Sequence, residues 1–311
     1  MTKSIAFTEY GSADVLRAVD TDVPEPGPGQ VRITVRTAGV NPLDSKIRAG
    51  YMEQVFPVDF PHVPGLEVAG VVEALGEGVE GLAVGDDVFG QTATGAYAER
   101  ALAEVAKVAL KPGTLSWEQA AALPVAAETA YRALDMLKVR PGETLLIHGA
   151  AGGVGTVAVQ FAVARGVKVV GTASEANHEH LRALGAVPVA YGDGLVERVR
   201  AAAPEGIDAA LDAAGRGDAL QASVELTGGT ERVLSIADAP GAGKLGVRFT
   251  SGAEGYYGEP AFAEALALFA ADKLTIAVHE VFPLEAAADA QRASEAGHLT
   301  GKIVLKVSEG V

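Results

Sequence analysis

The stretch from Thr144 to Arg165, TLLIHGAAGGVGTVAVQFAVAR, limits what this chain can fold into more than any other. An apolar run, Leu145 to Ile147, follows the breaker Pro141-Gly142. Gly149 to Gly155 then supplies a turn, and an Ala/Val/Gln/Phe run supplies a helix. Within the turn, Ala150, Gly152 and Gly155 keep the spacing of the dinucleotide fingerprint G-x-G-x-x-G, with alanine first and an additional Gly153. The spacing has a chemical reason. A small first residue permits the tight turn, the second lets backbone N–H groups approach a pyrophosphate, and the third lets helix and strand pack closely. The helix N-terminus then faces the anion, so Ala150, Gly152, Gly153, Val154 and Gly155 are expected to bind a dinucleotide.

The flanking sequence agrees. From Ser116 onward the chain alternates strand-like runs (TLLIHG, VKVVGTA, VPVAY, IDAALDAAG, ERVLSIA) with helical ones, the pattern of a parallel sheet with crossover helices. Residues 1 to about 120 read instead as short β-runs punctuated by glycine and proline, expected of a barrel-like all-β unit. A length of 311 residues exceeds what one hydrophobic core usually serves, roughly 250 to 300, so two domains are expected. The net charge of -15 argues against a nucleic-acid partner and against an anionic membrane. The absence of cysteine excludes disulfides and thiolate metal sites and fits a reducing compartment. MTKSIAFTEYG lacks the apolar region of a signal peptide, and no long uncharged apolar run is present, so a cytoplasmic, soluble protein is expected.

The end of the second strand chooses the cofactor. An acid about 20 residues past the glycine turn binds a ribose 2′-hydroxyl, whereas a neutral site admits a 2′-phosphate. VKVVGTAS ends in Gly171, Thr172, Ala173 and Ser174, without an acid. Ser174 can donate to a phosphate, and Asn177 and His178 open the next helix, where donors and the positive dipole end favour an anion. NADPH is the expected cofactor. Glu175 is the competing residue if the strand runs one or two residues longer, and Ser174 with Glu175 also reads as a helix N-cap with a first-turn acid. Ligands bind beyond the carboxyl ends of parallel strands, so Ala213, Ala214 and Gly215, and Ser235, Ile236 and Ala237, are expected to line the cofactor crevice.

Further motifs carry a resemblance over nearly the whole chain: Ala38-Gly39-Val40-Asn41-Pro42-Leu43-Asp44, Pro64-Gly65-Leu66-Glu67-Val68-Ala69-Gly70, Val84-Gly85-Asp86-Asp87-Val88, Gly95-Ala96-Tyr97-Ala98-Glu99, Leu184-Gly185-Ala186 and Gly301-Lys302-Ile303-Val304-Leu305. In these the chain resembles the zinc-independent, zeta-crystallin-like quinone oxidoreductase family of the medium-chain dehydrogenase/reductase superfamily. The resemblance implies an α/β protein: a Rossmann doubly wound parallel sheet over residues 120–256, inserted into a GroES-like β-barrel domain formed by residues 1–119 and 257–311. It also implies a cofactor cleft and a homodimer joined through Rossmann sheet edges. Zinc-dependent relatives have a cysteine and then a histidine as catalytic ligands where this chain has Gly39 and Leu66, and their cysteine-rich structural zinc lobe is missing, so no metal is expected. Without a metal the implied chemistry moves from alcohols to quinones and α,β-unsaturated carbonyls (enones and enals). A non-catalytic NADPH-binding or redox-sensing protein and an alcohol dehydrogenase are the alternatives.

Residue roles implied by the resemblance each have a plainer counterpart. Asn41 matches an asparagine near nicotinamide and substrate, or is a turn residue before Pro42; Asp44 follows in the same motif and reads equally well as an N-cap. Tyr51 lies near substrate-side tyrosines and is the candidate proton donor, with water as the alternative. Thr129 matches a threonine that approaches the nicotinamide, or bonds its own helix backbone. Tyr191 matches a tyrosine flanking the 2′-phosphate and adenine, or packs at a strand end. Arg48 is read as a cofactor-phosphate cation or a solvated one, and Lys302 as a closing-strand cation.

Overall fold

The apolar run before the glycine turn is a wholly buried strand, Thr144–His148, at the middle of a six-stranded sheet. The computed structural model describes residues 1–23, 25–251 and 255–308. The other strands of the sheet, in chain order, are Lys168–Ala173, Val187–Ala190, Ala209–Asp212, Val233–Ser235 and Arg248–Phe249. All pair in parallel, and numbered along the chain their spatial order is 3-2-1-4-5-6. The order reverses at the first strand, so the crevice at its carboxyl end opens where the glycine turn leaves it. Helix Gly153–Ala164 follows, buried on nearly every face from Gly155 to Ala162, as its uniformly apolar sequence requires. Leu146, Val170, Val189, Ala210 and Val233 interlock with Val199 and Leu220 of the crossover helices.

Two compact units result: Met1–Val125 with Ala277–Val311, and Ala126–Ile276. These bounds differ from those expected, 119/120 and 256/257, and packing explains both shifts. Helix Trp117–Ala122, capped by Ser116 and Gln119, buries Ala120 to Ala122, and Thr37 Oγ1 donates to the Trp117 carbonyl at 2.7 Å, which keeps this helix with the first unit. Helix Gly258–Ala270 buries Ala261, Phe262 and Ala265, and its Glu264 pairs with Arg165 at 2.6 Å. The Gln160 amide brackets Thr275, donating to its carbonyl at 3.0 Å and accepting from its N–H at 2.6 Å. The segment through Ile276 therefore stays with the parallel sheet.

The other unit is built on the long strand Gln30–Val40, whose residues 31, 33 and 35 are fully buried. It pairs antiparallel with Glu67–Leu75, Arg100–Glu104 and Lys302–Lys306 in a seven-stranded sheet completed by Asp87–Gln91, Val108–Leu110 and Val278–Pro283. A two-stranded ribbon, Thr2–Ala6 with Arg17–Thr21, accompanies it. Ile303 lies opposite Val40, so the C-terminal strand is an interior member of a sheet begun at residue 30. Among the described residues no helix is long and apolar enough to cross a membrane.

The third glycine of the turn has a steric duty. A Cβ on Gly155 would overlap the Gly149 carbonyl oxygen and lie 2.8 Å from Ala150 Cα, both backbone, whereas one on Gly152 would meet only that oxygen, at 3.3 Å. Gly155→Val is therefore expected to cost about 1 to 3 kcal/mol in urea unfolding, and Gly152→Ala less than about 1 kcal/mol. Equal losses at the two positions would refute this account of the turn.

Candidate functional site

Each unit contains one centre. In the parallel unit, Gly149 adopts φ +70° and Gly152 caps helix Gly153–Ala164. Gly152 N–H donates to Gly149 O at 3.0 Å and Ala150 N–H to Thr172 O at 3.1 Å, which pins the turn to the second strand. Gly153, Val154 and Gly155 are the first helical residues, so their N–H groups have no intrahelical acceptor and sit at the positive end of the helix. Such an end can hold an anion with backbone alone.

Buried polar side chains hold the strand ends around it. Asp212, fully buried, accepts from Ala214 N–H at 3.0 Å and Gly215 N–H at 2.9 Å through one oxygen, and from Ser235 Oγ at 2.8 Å through the other. Ser235 Oγ in turn accepts from the N–H groups of Ala237 and Asp238 at 3.2 and 3.0 Å. The Ser235 hydroxyl is thus engaged inside the fold and leaves the half-buried Ile236 and Ala237 to present that edge, as Ala214 does beside it. His148 lies beneath. Ser223 Oγ donates to Ala219 O at 2.8 Å, so at 3.0 Å it accepts from His148 Nε2–H, and Nδ1 accepts from Thr172 Oγ1 at 3.1 Å. Burial lowers the pKa of this neutral imidazole to about 4, against a smaller upward pull from Asp212.

At the carboxyl end of the second strand, Ser174 Oγ accepts from Asn177 Nδ2 at 3.3 Å, bringing two of the expected residues together. The strand stops at Ala173 and Glu175 begins a short 3₁₀ turn, exposed. Ser174 does precede that turn as its N-cap, but its side chain makes no capping bond. His178 Nε2 is buried without a hydrogen-bond partner among the described residues. Tyr191 follows the third strand and is 53% exposed. Thr129 is half-buried on helix Pro124–Leu137, its hydroxyl 3.5 Å from the neighbouring Glu128 carboxylate rather than bonded to its own helix backbone.

The second centre is a charge cluster that sequence reasoning assembled only in part. Asn41 caps helix Pro42–Arg48, its N–H donating to Asp44 Oδ2 at 2.9 Å. Its side chain does something else. Asn41 Oδ1 accepts from Lys302 Nζ at 2.5 Å, and Nδ2 donates to Glu67 Oε1 at 2.9 Å. Lys302 Nζ also lies 2.5 Å from Glu67 Oε1, and Glu67 Oε2 accepts from Val125 N–H at 2.7 Å. Asn41, Glu67 and Lys302 are 5%, 0% and 8% exposed. The turn reading and the functional reading of Asn41 thus describe different atoms of one residue. Asp44 Oδ2 also accepts from Tyr97 Oη at 2.9 Å, and burial raises the Asp44 pKa to about 7. Glu67 was missed, and Lys302 was read as a closing-strand cation, although Leu66-Glu67-Val68 and Gly301-Lys302-Ile303 each place a charge in an apolar strand, which calls for an opposite charge.

Two expected residues stand outside the cluster. Tyr51 is 82% exposed, beyond the end of the helix. Arg48 serves neither phosphate nor solvent: it is buried, with bonds to Gln291 Oε1 at 2.9 Å, Glu295 Oε1 at 2.6 Å and Gly11 O at 3.2 Å.

A 3-2-1-4-5-6 parallel sheet with a glycine turn at its switch point, in one chain with a sheet closed by the C-terminal strand, defines the two-domain dehydrogenase/reductase architecture. Residues 27–121 match the alcohol dehydrogenase GroES-like domain and residues 184–305 the zinc-binding dehydrogenase family. Over 97% of its length the chain is 35% identical to a 2-methylene-furan-3-one reductase of Solanum lycopersicum, of which it covers 78%. The quinone oxidoreductase of Coxiella burnetii has a similar structure, with TM-score 0.85 and 33% identity over 99% of both chains. That of Escherichia coli quinone oxidoreductase complexed with NADPH gives TM-score 0.87 and 26% identity, over 98% of this chain and 100% of that one. The chain belongs to the quinone oxidoreductase family of the medium-chain dehydrogenase/reductase superfamily.

The second matched family is named for zinc, and the residues here do not suit one. Glu67 is already neutralised by the Lys302 ammonium, Leu66 beside it offers no donor, and among the described residues no three His, Cys, Asp or Glu converge on an ion position.

The two shifted groups have opposite effects on stability. His148 resists protonation when folded, so it penalises the fold as pH falls from about 6.5 to about 4. Asp44 resists ionisation when folded, so it penalises the fold as pH rises from about 4 to about 7. Relative to wild type, Asp44→Asn is expected to gain stability as pH rises through that window, and His148→Gln as it falls. Each gain should be on the order of 3 kcal/mol in urea titrations across the range. A parallel pH dependence of both variants and wild type would contradict these assignments.

Proposed function

We propose that the protein is an NADPH-dependent reductase that passes hydride to an electron-poor carbon of a quinone or α,β-unsaturated carbonyl without a metal. One observation carries the choice of cofactor. The second strand ends without an acid at Ala173, Ser174 and Asn177 follow it, and next to them the buried Nε2 of His178 lacks a partner among the described residues. A 2′-phosphate supplies the acceptor that such an orphaned nitrogen needs. The relatives named for quinone and furanone reduction, one of them complexed with NADPH, support the same reading.

The parallel unit takes the cofactor, and the other unit the acceptor. The N–H groups of Gly153, Val154 and Gly155, approached past Ala150 and Gly152, bind the pyrophosphate. Ser174, Asn177, His178 and Tyr191 hold the adenosine end, and Ala214, Ile236 and Ala237 form the crevice wall, backed by the buried Ser235, with Thr129 near the nicotinamide. NADPH, when bound, supplies the hydride. Asn41 uses one Nδ2 hydrogen on Glu67 and has the other for the acceptor oxygen as negative charge develops there. Hydride brings both electrons and one hydrogen, and a proton from Tyr51 or from water completes the hydroquinone or saturated carbonyl. We further read the working form as a cytoplasmic homodimer joined along the edge strand Arg248–Phe249; the position of that strand and the cysteine-free, acidic composition support this.

Purified protein is expected to oxidise NADPH, followed at 340 nm, with 9,10-phenanthrenequinone or with members of an enone and enal panel, and to prefer NADPH to NADH. His178→Ala should weaken NADPH binding about tenfold and NADH binding less than about twofold. Binding without turnover on any acceptor defeats the reductase reading. Equal losses for the two cofactors defeat the role of His178.

A further inference from the structure

Asn41 is the residue with a free donor for the acceptor oxygen, yet an asparagine amide has no intrinsic reason to present its nitrogen rather than its oxygen. The cluster around it supplies one. An ammonium only donates and a carboxylate only accepts, so Lys302 Nζ at 2.5 Å must meet Oδ1, and Glu67 Oε1 at 2.9 Å must meet Nδ2. Turning the amide over would set N–H against an ammonium and C=O against a carboxylate, both repulsive in a buried setting.

The partners are themselves fixed. Glu67 begins strand Glu67–Leu75, and its second oxygen takes the Val125 N–H. Lys302 begins strand Lys302–Lys306, and its N–H is bonded to Ala277 O at 2.9 Å. Gly39 leaves the room: a Cβ there would overlap Glu67 Oε1 and lie 2.6 Å from its Cγ and Cδ. Stability alone does not account for such a pair, because apolar replacements of buried ion pairs are often neutral or stabilising. Positioning does account for it, because each charge fixes one end of the amide.

Granting the reductase reading above, we propose that Lys302, together with Glu67, is the positioning residue that orients the Asn41 amide so that its second Nδ2 hydrogen points to the acceptor oxygen. Lys302 then acts through Asn41 alone, and removing both residues is no worse than removing Asn41.

The test is a double-mutant cycle on kcat with 9,10-phenanthrenequinone, using Asn41→Ala, Lys302→Met and the double variant, with NADPH Kd measured by fluorescence titration as a check that each has folded. Asn41→Ala should lower kcat about 100-fold and Lys302→Met at least about tenfold, with KM for the quinone and Kd for NADPH within about twofold of wild type. The double variant should match Asn41→Ala within about twofold. If Lys302→Met does not fold, Glu67→Gln, close in volume, carries the same cycle. An unchanged kcat in the single variant, or losses that multiply in the double variant, overturns the proposal while leaving the reductase reading intact. Wild-type protein that binds NADPH and reduces no acceptor overturns both.

Discussion

Glu67 is a carboxylate with no exposed surface, and much of the first unit is arranged so that it can exist. A buried, unpaired charge of that kind is costly enough to unfold a domain of ordinary stability. Lys302 answers it from the other end of the chain, 235 residues away, and Asn41 and the Val125 N–H take the remaining directions. The C-terminal strand is therefore held next to Gln30–Val40 by more than its ladder of Ile303 to Lys306 against Thr37 to Val40. It brings the counter-charge to the one place that requires it. Gly39 belongs to the same constraint, since the strand that carries Asn41 must give up a side chain to let the carboxylate in.

The parallel unit solves a different problem with similar means. Loops beyond strand ends must keep a crevice open without collapsing onto each other. Asp212 and Ser235 do this by collecting four N–H groups, of Ala214, Gly215, Ala237 and Asp238, into one buried network. His148, neutral and bonded through both ring nitrogens, ties the first strand to the second strand and to helix Ala219–Thr227. None of these side chains has to touch a ligand for the crevice to depend on it.

Legibility followed the range of the interactions. The strand, glycine turn and helix of 144–164 are local, and their sequence pattern was sufficient to place them. The end of the second strand was read to within one residue for the same reason: it stops at Ala173, and Ser174 and Glu175 fall outside it. The unit boundaries were not readable to that accuracy, because helix Gly258–Ala270 joins the parallel unit through Glu264 to Arg165, and through Thr275 to Gln160 from the segment after it; sequence offers no sign of those pairings. Arg48 shows the limit clearly. A guanidinium in a short helix looks solvated or ligand-binding until Gln291 and Glu295 are brought to it from a helix some 240 positions on. Glu67 and Lys302 lay between: each was visible as a charge in an apolar strand, but their being each other's partner was not.

The two centres therefore respond to sequence change in opposite ways. The anion site uses main-chain N–H groups, which every residue but proline has, so its identity rests on which positions tolerate a Cβ: the overlap at Gly155 forbids one, while Gly152 nearly admits it. Side chains there can vary as long as the turn survives. The Asn41 centre has no such latitude. Its geometry is carried by side-chain atoms whose donor and acceptor roles are fixed by charge, and exchanging any one of the three leaves another buried charge or amide unanswered. On the function proposed above, changes of cofactor preference are thus accessible through single substitutions near the second strand, whereas changes in how an acceptor oxygen is held require coordinated replacement of Asn41, Glu67 and Lys302.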